Sequence, residues 1–105
     1  MSVSTHVLDA VTGTPAADLT VRLADVDGVE IGTGSTDRDG RIGAITPSPL
    51  PPGRYRLSFD TGAWFADRGR DTFHPEVIVT FDHQGGHSHV PLLLSPFAYS
   101  TYRGS

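Results

Sequence analysis

Turn residues recur so often in this chain that no long element fits between them: twelve glycines and eight prolines are spread over 105 residues. Glycine opens backbone conformations closed to other residues, and proline continues neither a ladder nor a helix, so each cluster ends an element. The stretches between clusters are short and rich in Val, Ile, Leu, Thr, Tyr and Phe, the composition of strands. Residues 4–11, 19–26, 29–36 and 41–45 read as strands, with the hairpin dipeptide Asp27-Gly28 joining the second to the third and Asp39-Gly40 preceding the fourth. A proline-rich loop follows over 46–52. The clearest strand is 53–60, where Tyr55, Leu57 and Phe59 alternate with Arg54, Arg56, Ser58 and Asp60, so one face is core and the other meets solvent or a partner.

Residues 61–70 form the one expected helix, started by Thr61, stopped near Gly69 and covering a sandwich edge. Strand resumes over 77–81, Gln84-Gly85-Gly86 turns, and 87–94 and 98–103 make a last pair separated by Ser95-Pro96. Seven or eight short strands in a chain of this length predict an all-β, antiparallel sandwich, with a barrel as the weaker alternative. Two cores would each be too small, so residues 1–105 are expected to form a single domain. Leu92-Leu93-Leu94 breaks the alternation, so that strand should be covered on both faces, the second time by another subunit.

The composition removes much chemistry. Cysteine is absent, which excludes disulfides, thiolate nucleophiles and cysteine-ligated metals. All eight basic residues are arginine, which excludes lysine Schiff bases and the phosphate-loop lysine. A formal net charge of -4 argues against nucleic acid as a partner. The opening Met1-Ser2-Val3-Ser4-Thr5-His6 lacks a charged and apolar leader, and no apolar run is long enough to span a bilayer, so a soluble cytoplasmic protein is expected, without a membrane partner.

Several partial motifs fail. Gly32-Thr33-Gly34 begins like a dinucleotide fingerprint, but Asp37 stands at the third glycine and no crossover helix follows. Ser35, Asp37, Asp39 and Gly40 resemble part of a calcium loop whose twelfth position is Thr46 instead of glutamate, so a turn is the better reading. No Gly-x-Ser-x-Gly elbow exists. His87 and His89 share a strand face, and with His83 nearby a three-imidazole metal site is conceivable, although a solvated loop explains the spacing better. His6 is a polar ring in a strand that would accept a hydrophobe, Arg41 opens a strand after a tight turn, and Arg103 lies near an end that follows an aromatic strand.

These residues assemble into a specific resemblance. The stretch from His89 through Pro91, Leu92, Leu93, Leu94, Ser95, Pro96, Phe97, Ala98 and Tyr99 to Tyr102-Arg103-Gly104-Ser105 closely resembles the C-terminus of the 5-hydroxyisourate hydrolases, the transthyretin-related enzymes of urate breakdown. The terminal tetrapeptide is that family's signature and is lacking in transthyretin proper. Thr5-His6-Val7-Leu8-Asp9, Thr12-Gly13-Thr14-Pro15-Ala16-Ala17 and Thr36-Asp37-Arg38-Asp39-Gly40-Arg41-Ile42 match as well, so the resemblance runs nearly the whole chain. Ser88 departs from it, standing where relatives often have an aromatic, as does the short glycine-rich loop over 82–86.

The resemblance implies a transthyretin-like (prealbumin-like) sandwich, a homotetramer built as a dimer of dimers, and active sites in clefts at the dimer–dimer interface. It implies hydrolysis of 5-hydroxyisourate at a cyclic amide to 2-oxo-4-hydroxy-4-carboxy-5-ureidoimidazoline, with no metal or organic cofactor. Its catalytic positions fall on His6, Arg41, His89 and Ser105, and substrate contacts on His6, Arg41, Tyr102, Arg103 and Gly104. Histidine suits water activation at neutral pH, and arginine suits a developing oxyanion and a planar ring. Two rivals share the fold: a small-ligand carrier without catalysis, and a prealbumin-like module of the kind appended to longer chains, which is the weaker expectation for a sequence of 105 residues that begins with methionine.

Overall fold

The computed structural model describes residues 2–46 and 49–105. Nine strands and one helix are present among them: β1 (Ser2–Asp9), β2 (Thr14–Pro15), β3 (Thr20–Asp25), β4 (Glu30–Ser35), β5 (Arg41–Ile42), β6 (Gly53–Phe59), α1 (Thr61–Ala66), β7 (Val77–His83), β8 (His87–Leu94) and β9 (Tyr99–Thr101). Pro47 and Ser48 of the expected proline-rich loop lie outside the described residues. One sheet has the order β2-β1-β8-β9, with β5 also pairing β1, and the other the order β4-β3-β6-β7. This is the expected sandwich, all-β apart from α1.

Hydrophobic alternation builds it. Val21 and Leu23 of β3, and Tyr55, Leu57 and Phe59 of β6, meet Val3 and Val7 of β1 and Val90, Leu92 and Leu94 of β8 in one buried cluster. Burying a Leu or Phe side chain contributes about 1.5–3 kcal/mol, so this layer is the main source of stability. Leu93 is half-buried on the outer face, level with Leu8 in the ladder, so only one side of the Leu92-Leu93-Leu94 run is in the core.

Four features differ from expectation. β1 and β8 run parallel over their whole length, from Ser2 opposite His87 to Asp9 opposite Leu94, inside otherwise antiparallel sheets. β1 begins two residues early, where Ser2 already pairs with His87, and ends two residues early because Asp9 Oδ1 accepts the backbone N–H groups of Val11 and Thr12 and turns the chain. β9 covers only the centre of the expected 98–103, and β2 is a short addition. The helix stops at Ala66, and Thr61 does not cap it: its hydroxyl donates to the His74 carbonyl at 2.6 Å. Trp64 and Phe65 carry α1 into the core, and Trp64 Nε1 donates to the Ala17 carbonyl at 2.7 Å.

The glycine-rich motif of β4 has a packing explanation. A Cβ on Gly32 would strike the carbonyl oxygen of Ile45, so the backbone approach itself requires glycine.

Candidate active site

The outer face of the β1–β8 sheet gathers the polar rings. Residues of β1 alternate, Val3, Thr5 and Val7 facing inward and Ser4 and His6 outward. Ladder register then sets Ser4 beside His89 on β8 and His6 beside Arg41 on β5, so all four side chains share one face. Arg41 is placed by its turn. Asp37 Oδ1 accepts the N–H groups of Asp39 and Arg41 at 2.9 and 3.0 Å, and the Asp37 N–H donates to the Arg41 carbonyl at 2.9 Å. Gly40, at φ 75°, supplies the reversal, and a Cβ there would strike the Val7 carbonyl oxygen. The N–H of Arg41 holds the Asp37 carboxyl below the usual range, outweighing a small burial effect.

The tail is tied down beyond β9. The Gly104 N–H donates to the His89 carbonyl at 2.9 Å, and a Cβ on Gly104 would collide with the His89 ring. Ser105 is thereby brought to a cleft of about 270 Å³ that it lines with Ser4, Arg41, His87 and His89. Tyr102, Arg103 and Gly104 instead line an adjoining cavity of about 510 Å³ toward β7, whose wall includes His87, His89 and Ser105. His89 and Ser105 therefore stand between two spaces, and Arg41 opens onto the smaller one. Among the described residues Arg103 forms no ion pair.

His89 Nδ1 lies 2.7 Å from Ser4 Oγ, so Nε2 is its free ring nitrogen. Burial first, then the positive charge of Arg41 and the neighbouring His87 and His6 rings, push the His89 imidazolium below the ordinary histidine range. A neutral imidazole beside a guanidinium results, able to accept a proton while the arginine attracts an oxyanion.

Sequence reasoning missed Ser4 and undervalued His87. Ser4 Oγ sits between His87 Nε2 at 2.8 Å and His89 Nδ1 at 2.7 Å, and His87 Nδ1 meets Ser2 Oγ at 2.7 Å. The His-x-His spacing on β8 was the available signal, but the hydroxyls come from a strand more than eighty residues away. His83 does not join them. It is buried, meeting Ser88 Oγ at 2.7 Å and the Leu50 carbonyl at 3.1 Å, so the three imidazoles form no common metal set.

Comparison with known proteins agrees with this architecture. The HIUase/Transthyretin family model matches residues 3–104, and the chain belongs to that family. It is similar to a 5-hydroxyisourate hydrolase of Mus musculus, 44% identical over 110 residues covering 97% of this chain and 93% of the mouse chain. The structure of Klebsiella pneumoniae 5-hydroxyisourate hydrolase superposes with a TM-score of 0.94 at 44% identity, covering all of both chains. Sea bream transthyretin in complex with thyroxine superposes with a TM-score of 0.90 at 38% identity, covering 99% of this chain and 95% of that one. Among the described residues, no helix is long and apolar enough to cross a membrane.

Proposed function

We propose that this protein hydrolyses 5-hydroxyisourate to 2-oxo-4-hydroxy-4-carboxy-5-ureidoimidazoline, a step of urate catabolism, with all 105 residues acting as one domain. The observation that carries the reading is the meeting of Arg41, His89 and the Ser105 tail around one cleft, with His6 level with Arg41 on the neighbouring strand. A carrier has no use for that set. In this reading His89 and His6 share water activation and proton delivery to the leaving nitrogen, a contribution of about 10²–10⁴ in rate. Arg41 binds the ring carbonyl and stabilises the oxyanion formed when water adds to it. Tyr102, Arg103 and Gly104 shape the wall against which the planar ring is held.

We extend the reading to a homotetramer, a dimer of dimers, whose clefts are completed by a second copy. Support comes from the free edges of β7 and β9 and from the side chains beside them: Phe73 is 74% exposed and Phe97 69%, unusual for an isolated chain. Multi-angle light scattering tests the assembly; a monomer at working concentration overturns it.

The test of activity is an ultraviolet assay in which 5-hydroxyisourate is generated from urate by a separate oxidase and its decay followed with and without the protein. Acceleration proportional to protein concentration, lost in His89→Ala, is expected. A folded protein that leaves the spontaneous decay unchanged overturns the reading.

A further inference from the structure

Hydrolysis of a cyclic amide creates a proton that must leave the cleft. The new carboxylic acid, with an ordinary pKa of about 3.5–4, is ionised at neutral pH. The ureide nitrogen released on the other side is too weak a base to keep the proton. One proton per turnover therefore passes from the groups that activate water to solvent. His89 is only half-exposed, whereas His87, two residues earlier on the same face, is exposed.

We infer that Ser4 and His87 form the exit route for this proton, Ser4 Oγ bridging the two rings; the inference rests on the hydrolase reading. The four groups Ser2, His87, Ser4 and His89 form one unbroken chain with every link at 2.7–2.8 Å. A serine hydroxyl has one hydrogen, so the chain has two consistent directions. In one, the His89 Nδ1–H donates to Ser4, Ser4 to His87 Nε2, and the His87 Nδ1–H to Ser2, leaving His89 Nε2 as a base. In the other every donor is reversed, and His89 Nε2 carries a proton.

The direction reverses as the proton moves. Nε2 of His89 takes a proton from attacking water and returns it to the leaving nitrogen, then takes the proton of the new carboxylic acid, so that the ring carries two. Its Nδ1–H passes to Ser4 Oγ while the Ser4 hydroxyl proton passes to His87 Nε2. His87, now doubly protonated, passes its Nδ1–H to Ser2 Oγ, whose own hydroxyl proton goes to solvent. Both rings end neutral, one proton has left, and exchange of ring and hydroxyl protons with solvent resets the chain for the next turnover. The lowered proton affinity of His89 favours this outward transfer. The other charged or titratable groups facing the two rings are His6 on β1, Arg41 on β5, Asp82 on β7, and Tyr102, Arg103 and the terminal carboxylate on the tail. Ser4 and His87 act through His89 and are positioning residues.

Turnover of wild type, Ser4→Ala, Ser4→Thr and His87→Gln is measured in weakly buffering medium, then with added imidazole. Ser4→Ala and His87→Gln are expected to lose about tenfold in kcat with KM unchanged, and to recover as imidazole rises, while Ser4→Thr keeps the hydroxyl and the rate. In parallel, ¹⁵N NMR follows the ring nitrogens of His87 and His89 against pH, and Ser4→Ala is expected to uncouple the two titrations. Unchanged kcat, a loss that imidazole does not restore, or unaltered titrations in Ser4→Ala each overturn the relay. An inactive wild type overturns the hydrolase reading and the relay together; an active wild type with unaffected variants overturns the relay alone.

Discussion

Asp37 and Arg41 clamp each other through the backbone, the Arg41 N–H reaching Asp37 Oδ1 at 3.0 Å and the Asp37 N–H reaching the Arg41 carbonyl at 2.9 Å. The clamp closes the Asp39-Gly40 turn and so determines where β5 begins and which residue faces His6. Asp37→Ala removes the acceptor for two N–H groups and is expected to lower stability slightly, with a tenfold or greater loss of turnover because a small displacement of Arg41 is costly. Asp37→Asn keeps an acceptor oxygen and should retain most of both. Urea unfolding and the decay assay check the pair; full activity in Asp37→Ala rules the clamp out as a determinant of the site.

Gly104 is the point at which the tail passes closest to the active ring. A Cβ there overlaps His89, while the surrounding tail is exposed and contributes little to the core. Gly104→Ala is therefore expected to leave the melting temperature within a few degrees of wild type and to reduce activity by roughly a hundredfold through displacement of His89 or Ser105. Calorimetry beside the decay assay measures both. A large loss of stability with normal activity per folded molecule contradicts the account.

The sequence already contained the faces of the strands, because alternation is a local property. His87 with His89, and Leu57 with Phe59, were assigned to their faces from spacing alone, and the Asp39-Gly40 turn before Arg41 formed as its chemistry demands. Pairing partners were not legible. The parallel match of β1 to β8 joins Ser4 to His89, and nothing in either segment announces the other. Ser4 was invisible as a site residue for that reason, since a serine gains meaning only from the two rings it bridges. Thr61 misled because capping is common for threonine, yet Asp60 holds the N-cap position and Thr61, already the first helical residue, uses its hydroxyl to reach the His74 carbonyl. The tail's functional reading came from its resemblance to a family, and its anchoring at His89 supplies the physical reason.

The acid limb of activity should fall below the ordinary histidine range. Burial and the Arg41 charge both disfavour the His89 imidazolium, so the neutral base persists at a pH where a free histidine, near 6.5, is half protonated. Arg41→Gln removes one of those causes and is expected to move the acid limb of kcat/KM upward, besides lowering the rate. Between the folded and unfolded values the unfolded chain binds more protons, so this group's contribution to stability is present above about 6.5 and is lost as pH falls through the folded value. A pH–rate profile of wild type and variant decides the matter; an acid limb unmoved, or moved downward, by the substitution removes Arg41 from the environment of His89.

Asp9 and Arg70 form the most enclosed ion pair among the described residues, with Nη1 2.6 Å from Oδ2 and side-chain exposures of 3% for Asp9 and 27% for Arg70. Burial alone raises the Asp9 carboxyl, but the hydrogen bond from Arg70, the N–H groups of Val11 and Thr12, and the guanidinium charge outweigh it and hold the group below its usual range. The same guanidinium lies 4.9 Å from the centre of the Phe65 ring, joining the end of β1 to the segment that follows α1. Arg70→Gln leaves a buried carboxylate without its cation and is expected to cost about 3 kcal/mol. Because the folded carboxyl titrates below its unfolded value, the wild-type contribution is present above about pH 4 and is lost as pH falls through the folded value. In Arg70→Gln this acid-side loss should shrink or reverse, since burial then acts with less opposition. Urea unfolding across the acid range measures the difference, and activity per folded molecule at neutral pH should stay near wild type because the pair lies at the far end of β1 from Ser4; equal stability of the two proteins at neutral pH contradicts the assignment.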